Sequence, residues 1–126
     1  MKDKVFQYVR ERYGSDIEHL WERTPECAVF RRCDNKKWYG IVMDVPRDRF
    51  GFDDEGIVYV LNVKIDDVLF HDALLEREGY FPAYHMNKGT WISIFLDGSV
   101  PEDEITEMID ISYMAVAPKH KKKGNI

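Results

Sequence analysis

Hydrophobic residues recur at helical spacing near both ends of the chain. The first stripe consists of Val5, Phe6, Val9 and Tyr13. It predicts an amphipathic helix over residues 3–13 that ends at Gly14, because glycine readily adopts the left-handed conformation found after many helices. The second stripe consists of Ile105, Met108, Ile109, Ser112 and Tyr113. It predicts a last helix that holds Pro101 in its first turn.

Alternation of apolar and polar residues predicts four strands between these helices. They cover residues 28–33, 37–45, 57–65 and 91–96. The first two form a hairpin around Asp34-Asn35, a pair suited to a turn. In the second strand, one face is expected to carry Tyr39, Ile41, Met43 and Val45, and the other face Trp38.

The connections between the strands carry weaker signals. Residues 46–56 are predicted to be a polar connection, and residues 80–90 to be extended or turn-like. Asp66 or Asp67 can cap a short helix that runs to about Glu78 and ends at Gly79.

This order of elements predicts an α+β fold, with a twisted antiparallel sheet and the N- and C-terminal helices packed on one face. Residues 1–117 are expected to form one domain, followed by a basic, disordered tail over residues 118–126. Two long helices cannot cover both faces of the sheet, so the second face is expected to be partly open.

The open face is the first candidate for a binding surface. By alternation it collects Trp38, Asn62, Lys64, Trp91, Ser93 and Phe95. Exposed aromatic residues in one patch are typical of an interaction site. The alternative is that residues 80–90 or 15–27 fold back and cover these rings.

Charge argues against a general affinity for nucleic acid. The 126-residue chain has a net charge of −5, and residues 118–126 contribute four lysines and no acid. The remaining 117 residues therefore carry −9, so binding to a polyanion requires a segregated basic face.

The sequence gives no sign of export, membrane insertion or catalysis. Met1-Lys2-Asp3-Lys4 precedes no apolar run, and the longest apolar runs have strand length. We therefore expect a cytoplasmic protein in which Cys27 and Cys33 are reduced. No nucleophile–base pair, phosphate loop or metal-ligand spacing is evident, so we expect no enzyme activity, no cofactor and no metal.

A turn before the last strand holds several functional side chains. His85, Asn87 and Lys88 precede Trp91, and Lys88 could hold a phosphate together with Lys64. In the alternative interpretation, Asn87 supplies a turn conformation and His85 satisfies loop backbone groups.

Basic residues also cluster around the first hairpin. They are Arg31, Arg32, Lys36 and Lys37. Such a hairpin could lie along a DNA backbone, but adjacent strand residues such as Arg31 and Arg32 point to opposite faces. Solvated charge that protects a sheet edge from aggregation is the alternative interpretation.

Two segments together resemble a known family. Residues 84–92 read Tyr-His-Met-Asn-Lys-Gly-Thr-Trp-Ile, and residues 109–113 read Ile-Asp-Ile-Ser-Tyr. They are similar to the YjbR/MmcQ-like family of small bacterial proteins, and Lys64 in its strand also fits. The resemblance implies a frataxin-like (CyaY-like) α+β fold and the DNA binding that has been proposed for that family.

The sequence thus predicts a small non-enzymatic binding domain. DNA is the first expected ligand, bound weakly and without sequence preference through the open face and the basic hairpin. The rival hypothesis is a protein-interaction module that uses the same aromatic face. A third hypothesis is an enzyme that acts on a phosphorylated ligand at Lys64, His85 and Lys88.

Overall fold

The computed structural model describes residues 1–119, which form a five-stranded antiparallel sheet and three α-helices. The elements in chain order are α1 (Lys2–Tyr13), β1 (Ala28–Arg31), β2 (Trp38–Pro46), a 3₁₀ turn (Arg47–Phe50), β3 (Ile57–Lys64), α2 (Val68–Leu74), β4 (Tyr80–Pro82), β5 (Trp91–Phe95) and α3 (Glu102–Ala115). The strands lie in the order β1-β2-β3-β5-β4, and all neighbours are antiparallel. The predicted α+β architecture is confirmed. Most of the predicted basic tail, residues 120–126, lies outside the described residues.

Helices α1 and α3 pack side by side on one face of the sheet, as predicted. Two contacts show that the helices run in the same direction: Lys4 pairs with Glu102 near their first turns, and Tyr13 stacks on Tyr113 near their last turns. Both predicted apolar stripes face the sheet, and their buried members are Val5, Val9, Ile105, Met108, Ile109 and Ser112. Leu74 of α2 belongs to the same core, so all three helices cover this face.

Ser112 ties α3 to the sheet by hydrogen bonds. Its buried hydroxyl accepts from the backbone N–H of Lys64 at 2.8 Å and donates to the carbonyl of Tyr39 at 2.7 Å. These two backbone groups lie at the end of β3 and near the start of β2. One side chain thus satisfies two strand groups that would otherwise be unpaired in the core.

A bulge at Tyr39 changes the predicted faces of β2. Phe30 pairs with Gly40 but Arg31 pairs with Trp38, which leaves Tyr39 as the extra residue. Tyr39 is fully buried in the helix-side core, whereas the residues after the bulge, Ile41, Met43 and Val45, lie on the opposite face. The prediction that these three residues share a face with Tyr39 is wrong, because alternation restarts after a bulge.

The second face of the sheet is mostly covered rather than open. Its apolar cluster is formed by Met43, Val45, Phe50, Phe52, Val58, Val60, Phe81, Tyr84 and Phe95. Residues 46–56, predicted to be a polar connection, supply Phe50 and Phe52 to this cover, and Arg47 lies 4.3 Å over the Phe52 ring. Asn62, Ser93 and Phe95 are therefore buried, and an exposed aromatic patch including them was a wrong prediction.

The region between β3 and β5 differs from prediction in two details. Helix α2 ends at Leu74 rather than near Glu78, and the chain then makes turns to Gly79. Strand β4 follows directly and pairs with β5, although residues 80–90 were predicted only as extended or turn-like. No helix within residues 1–119 is long and apolar enough to cross a membrane.

Candidate binding site

A cavity of about 310 Å³ remains on the sheet face opposite the helices. Its walls are formed by Trp21, Thr24, Trp38, Ile41, Met43, His85 and Met86. Three separate segments supply these residues: the chain before β1, the first half of β2 and the turn before β5. Both loops that the sequence offered as possible covers, residues 15–27 and 80–90, therefore contribute, but they enclose a space instead of filling it.

The segment before β1 brings Trp21 to the cavity. Glu18 and Val29 exchange backbone hydrogen bonds of 3.0 and 2.9 Å, so this segment runs beside the edge of β1. The His19 ring nitrogen Nδ1 lies 3.0 Å from the carbonyl oxygen of Pro25, which ties the two ends of the loop together. Trp21 then packs edge to face against Trp38 and stays 39% exposed.

The start of β2 forms the floor of the cavity. Trp38, Ile41 and Met43 all lie on the face opposite the helices because of the bulge at Tyr39. Simple alternation had separated Trp38 from Ile41 and Met43, and it is these two residues that it put on the wrong face. Trp38 is half-buried, and the Arg31 guanidinium lies 5.9 Å from its ring centroid. The predicted placement of Trp38 on the face opposite the helices therefore agrees with the structure.

A buried polar pair holds the third wall. Asn62 and Ser93 are register neighbours on β3 and β5, and the Ser93 hydroxyl donates to Asn62 Oδ1. The same hydroxyl accepts from the backbone N–H of Tyr84, and Asn62 Nδ2 donates to the Tyr84 carbonyl, both at 3.0 Å. Side chains of the sheet thus bind both the N–H and the C=O of Tyr84.

His85 follows this anchor in a conformation that is uncommon for residues other than glycine. Its φ is +60°, in the left-handed region that few residues other than glycine adopt. This turn places the exposed His85 ring against the Tyr84 ring, with centroids 4.0 Å apart, and on the wall of the cavity. Strained backbone that the surrounding contacts hold in place is common at functional sites.

The other residues of the predicted turn site have local roles. Asn87 Oδ1 accepts from the Gly89 N–H, and the Asn87 carbonyl accepts from the Trp91 N–H, which are the contacts of a turn residue. Lys88 Nζ donates to the Ala83 carbonyl at 2.8 Å and borders a different cleft. The alternative interpretation therefore accounts for the contacts of Asn87.

Lys64 and Trp91 come together as predicted from alternation. They are register neighbours on β3 and β5, so their side chains project from the same face of the sheet. The carbonyl of Trp91 accepts a hydrogen bond of 2.9 Å from Nε2 of His71, a buried residue of α2. Neither Lys64 nor Trp91 lines the Trp21–Trp38 cavity, so the four residues of the predicted shared site do not form one cavity.

The basic hairpin presents fewer charges than its sequence suggests. Arg32 is buried: its guanidinium pairs with Asp34, donates to the Tyr113 carbonyl at 2.8 Å and lies 3.9 Å over the Tyr113 ring. The bond from Arg32 lowers the pKa of Asp34 to about 2. Nε of Arg31 lies 3.1 Å from a carboxylate oxygen of Glu18.

Of the four predicted basic residues, Lys36 and Lys37 are exposed at the hairpin tip. The prediction that Arg32 offers its charge to a ligand is therefore wrong, because internal contacts occupy the guanidinium. Residues 120–126 contribute three lysines and no acid to the chain's net charge of −5, so residues 1–119 carry −8. Two lysines at one tip make a small basic surface on an acidic body.

Trp21, Met43 and Met86 are cavity residues that the sequence did not single out. A signal for Trp21 was present, since Leu20-Trp21 is an apolar pair in a connection rich in polar residues. Met43 was assigned to the wrong face because of the bulge. Within residues 1–119, no group of three or more histidine, cysteine or acidic side chains is arranged to hold a metal ion.

Comparison with known proteins identifies the family. The sequence profile of the YjbR family matches residues 4–115. The chain belongs to the YjbR family. This match runs from the first turn of α1 to the end of α3 and includes every segment that lines the cavity.

Relatives of this YjbR-family chain are found in several bacteria. The uncharacterized protein YyaQ of Bacillus subtilis strain 168 is 38% identical over 112 residues, which cover 89% of this chain and 94% of YyaQ. The uncharacterized protein YjbR of Escherichia coli K12 is 38% identical over a shorter stretch of 45 residues, 33% of this chain and 38% of YjbR.

Solved structures share the fold of this YjbR-family chain. A crystal structure of a Pseudomonas syringae protein superimposes with a TM-score of 0.89 at 33% identity, and covers 93% of this chain and 99% of that one. The Deinococcus radiodurans protein DR2400 superimposes with a TM-score of 0.70 at 22% identity, over 100% of this chain and 81% of its own. The likeness to CyaY stays a prediction.

Proposed function

We propose that this protein is a small non-enzymatic binding domain that receives an apolar side chain of a basic protein partner in the Trp21–Trp38 cavity. The observation that carries this proposal is the cavity itself, a space between two tryptophans that neighbouring loops border but do not fill.

The size and lining of the cavity support a side chain as the occupant. A volume of about 310 Å³ lies at the lower end of the range for small-molecule sites, so it suits one anchor residue better than a large ligand. Tryptophans are enriched among the residues that contribute most to protein interfaces. Met43 and Met86 add flexible apolar walls that adapt to different anchors.

Charge supports a basic partner. Residues 1–119 carry −8, and the segment 15–27, which brings Trp21 to the cavity, contains four acids and one arginine; of these acids, Glu18 pairs with Arg31 and Glu26 with Lys2. A negative surface speeds the approach of a positive partner and repels a polyanion. An apolar anchor flanked by lysine or arginine therefore matches the apolar lining of the cavity and the net negative charge of residues 1–119.

Nucleic acid is a second candidate, favoured by one observation. Lys36 and Lys37 are exposed at the hairpin tip immediately before Trp38, which lines the cavity. A base could enter the cavity while the two lysines contact the adjacent phosphates, as aromatic and basic residues do in single-strand binding proteins. Such binding would be weak and largely sequence-independent.

Two peptides matched in charge test the first proposal. One has a central phenylalanine with two lysines before it and two after it. The other has alanine in place of the phenylalanine. We expect the phenylalanine peptide to bind more tightly and to shift the indole NMR signals of Trp21 and Trp38. Because the difference comes from apolar burial, the ratio of the two affinities should persist at high salt.

A single-stranded oligonucleotide provides the competing measurement. Phosphate-driven binding must fall steeply as salt rises, and Lys36→Gln and Lys37→Gln should each reduce the salt slope by about one. Equal affinity of the two peptides, together with salt-sensitive oligonucleotide binding, would replace the first proposal with the second.

A further inference from the structure

A second cleft is bordered by Tyr84 and Lys88, which belong to the same segment as His85. It has a volume of about 370 Å³, and the residues that matter for its chemistry are Arg49, Phe50, Phe81, Ala83, Tyr84 and Lys88. Arg49 and Phe50 come from the 3₁₀ turn after β2, and the others come from β4 and the turn that follows it. None of these residues lines the Trp21–Trp38 cavity.

Two cations border this cleft on a protein whose described part is strongly acidic. Lys88 is exposed, but its ammonium group is held by the hydrogen bond to the Ala83 carbonyl, which leaves two of its three N–H donors for other partners. The Arg49 side chain is 63% exposed, and its nearest acid, Asp48, lies 3.9 Å from Nε. Both charges are therefore available to an anion.

Aromatic rings form the body of the cleft. The Phe50 ring lies with its centroid 5.3 Å from Phe81 and 6.0 Å from Tyr84 in tilted arrangements, and all three residues line the cleft. Phe81 also stacks on the buried Phe95 ring at 4.3 Å, which fixes it to the sheet. A planar group bound here would contact rings that are already held in place.

We propose that this cleft binds a small ligand that combines a planar aromatic ring with an anionic group, a carboxylate or a phosphate. The ring packs against Phe50, Phe81 and Tyr84, and the anion accepts hydrogen bonds from Arg49 and Lys88. This site is independent of the proposed protein-binding cavity, although Tyr84 and His85 are consecutive residues that face the two sites.

Titration of the isotope-labelled protein with four probes tests this site. Phenyl phosphate and benzoate carry both ring and anion, phenol lacks the anion, and inorganic phosphate lacks the ring. We expect the two complete probes to shift the amide signals of Ala83, Tyr84 and Lys88 at lower concentrations than either incomplete probe. The relative affinity of phenyl phosphate and benzoate then decides which anion the cleft prefers.

Charge-removing variants locate the anion. Arg49→Gln and Lys88→Gln should each weaken phenyl phosphate binding about fivefold, the effect of one exposed charge contact. Arg10→Gln, at an exposed basic residue outside both the cleft and the Trp21–Trp38 cavity, should leave it unchanged. Arg49→Gln is the decisive variant, because Lys88→Gln also removes the bond to Ala83.

Two outcomes would overturn the proposal: equal shifts with phenol and phenyl phosphate, or the same affinity in Arg49→Gln as in the unchanged protein. Neither outcome affects the peptide experiment, since that is read at Trp21 and Trp38. The two proposals therefore fail separately.

Discussion

Trp21 and Trp38 meet edge to face, with ring centroids 6.0 Å apart and planes at 89°. The first comes from a loop beside the sheet edge and the second from the bulged start of β2. One wall of the cavity is therefore a loop residue, whose position depends on the backbone bonds between Glu18 and Val29. Such a wall can be removed without opening the core.

Trp21→Ala should weaken binding of the phenylalanine peptide about tenfold or more, because a tryptophan wall contributes much of the contact energy. Since Trp21 is 39% exposed, the free energy of unfolding should change by only about 1 kcal/mol. Calorimetric titration and urea unfolding measure the two effects.

Leu20→Ala is the matched control for Trp21→Ala. Leu20 is adjacent and 43% exposed but does not line the cavity. An equal loss of peptide affinity in both variants would show that the loop as a whole, and not the tryptophan wall, is responsible.

Ser93→Ala should loosen the turn that carries His85. The change leaves the Tyr84 N–H and Asn62 Oδ1 without their hydroxyl partner in a buried place, at a cost of about 2 kcal/mol. We expect faster hydrogen exchange at residues 84–86 and weaker peptide binding. Ser99→Ala, where the hydroxyl donates its hydrogen bond to the exposed Asp97, should change neither. Unchanged exchange in Ser93→Ala would mean that Tyr84 is held by other contacts.

The helices were predictable because their signals are local. The apolar stripe of residues 3–13 lies in one short segment, and the left-handed Gly14, with φ of +66°, follows it directly. Packing α1 and α3 on a common face follows from two stripes that each need an apolar surface. The roles of Tyr113 and Arg32 in joining the hairpin to α3 could not be predicted, since their contacts cross 81 positions of sequence.

The candidate site was predicted less well, and the bulge explains part of this. Trp38 and His85 were singled out and do line one cavity. Alternation assumes an unbroken strand, so it could not place Met43 beside Trp38 when Tyr39 interrupts the register. The cover by Phe50 and Phe52 was also missed, because the charged residues around them made residues 46–56 look like a solvent-exposed connection.

Gly40→Ala should destabilise the protein strongly, although the substitution adds only one methyl group. A Cβ at this position would overlap the buried Phe30 ring, which lies across Gly40 from the neighbouring strand. Overpacking of this kind costs about 1–3 kcal/mol. Urea unfolding should therefore show a lower midpoint with an unchanged slope.

The double variant Gly40→Ala/Phe30→Leu tests the cause of that destabilisation. A smaller side chain at position 30 leaves room for the added methyl group, so the double variant should be more stable than the sum of the two single effects predicts. Strict additivity would mean that the methyl group acts through the backbone of β2 instead.

Tyr13 should make stability fall at alkaline pH. Burial, and then the hydrogen bond to Asp110 at 2.6 Å, raise the pKa of Tyr13 from about 10 to about 12. The folded protein therefore holds the Tyr13 proton more tightly than the unfolded chain does. This contribution to stability is complete below about pH 10 and is lost as the pH rises toward about 12.

Comparison with Tyr13→Phe isolates this effect, because burial also raises the pKa of Tyr8, Tyr39 and Tyr80. At neutral pH the variant should lose about 1 kcal/mol or more with the hydrogen bond to Asp110. As the pH rises through the alkaline range, the difference in unfolding free energy between the two proteins should shrink, since only the original protein loses the Tyr13 contribution. A difference that stays constant to about pH 12 would mean that Tyr13 ionises equally in the folded and unfolded states.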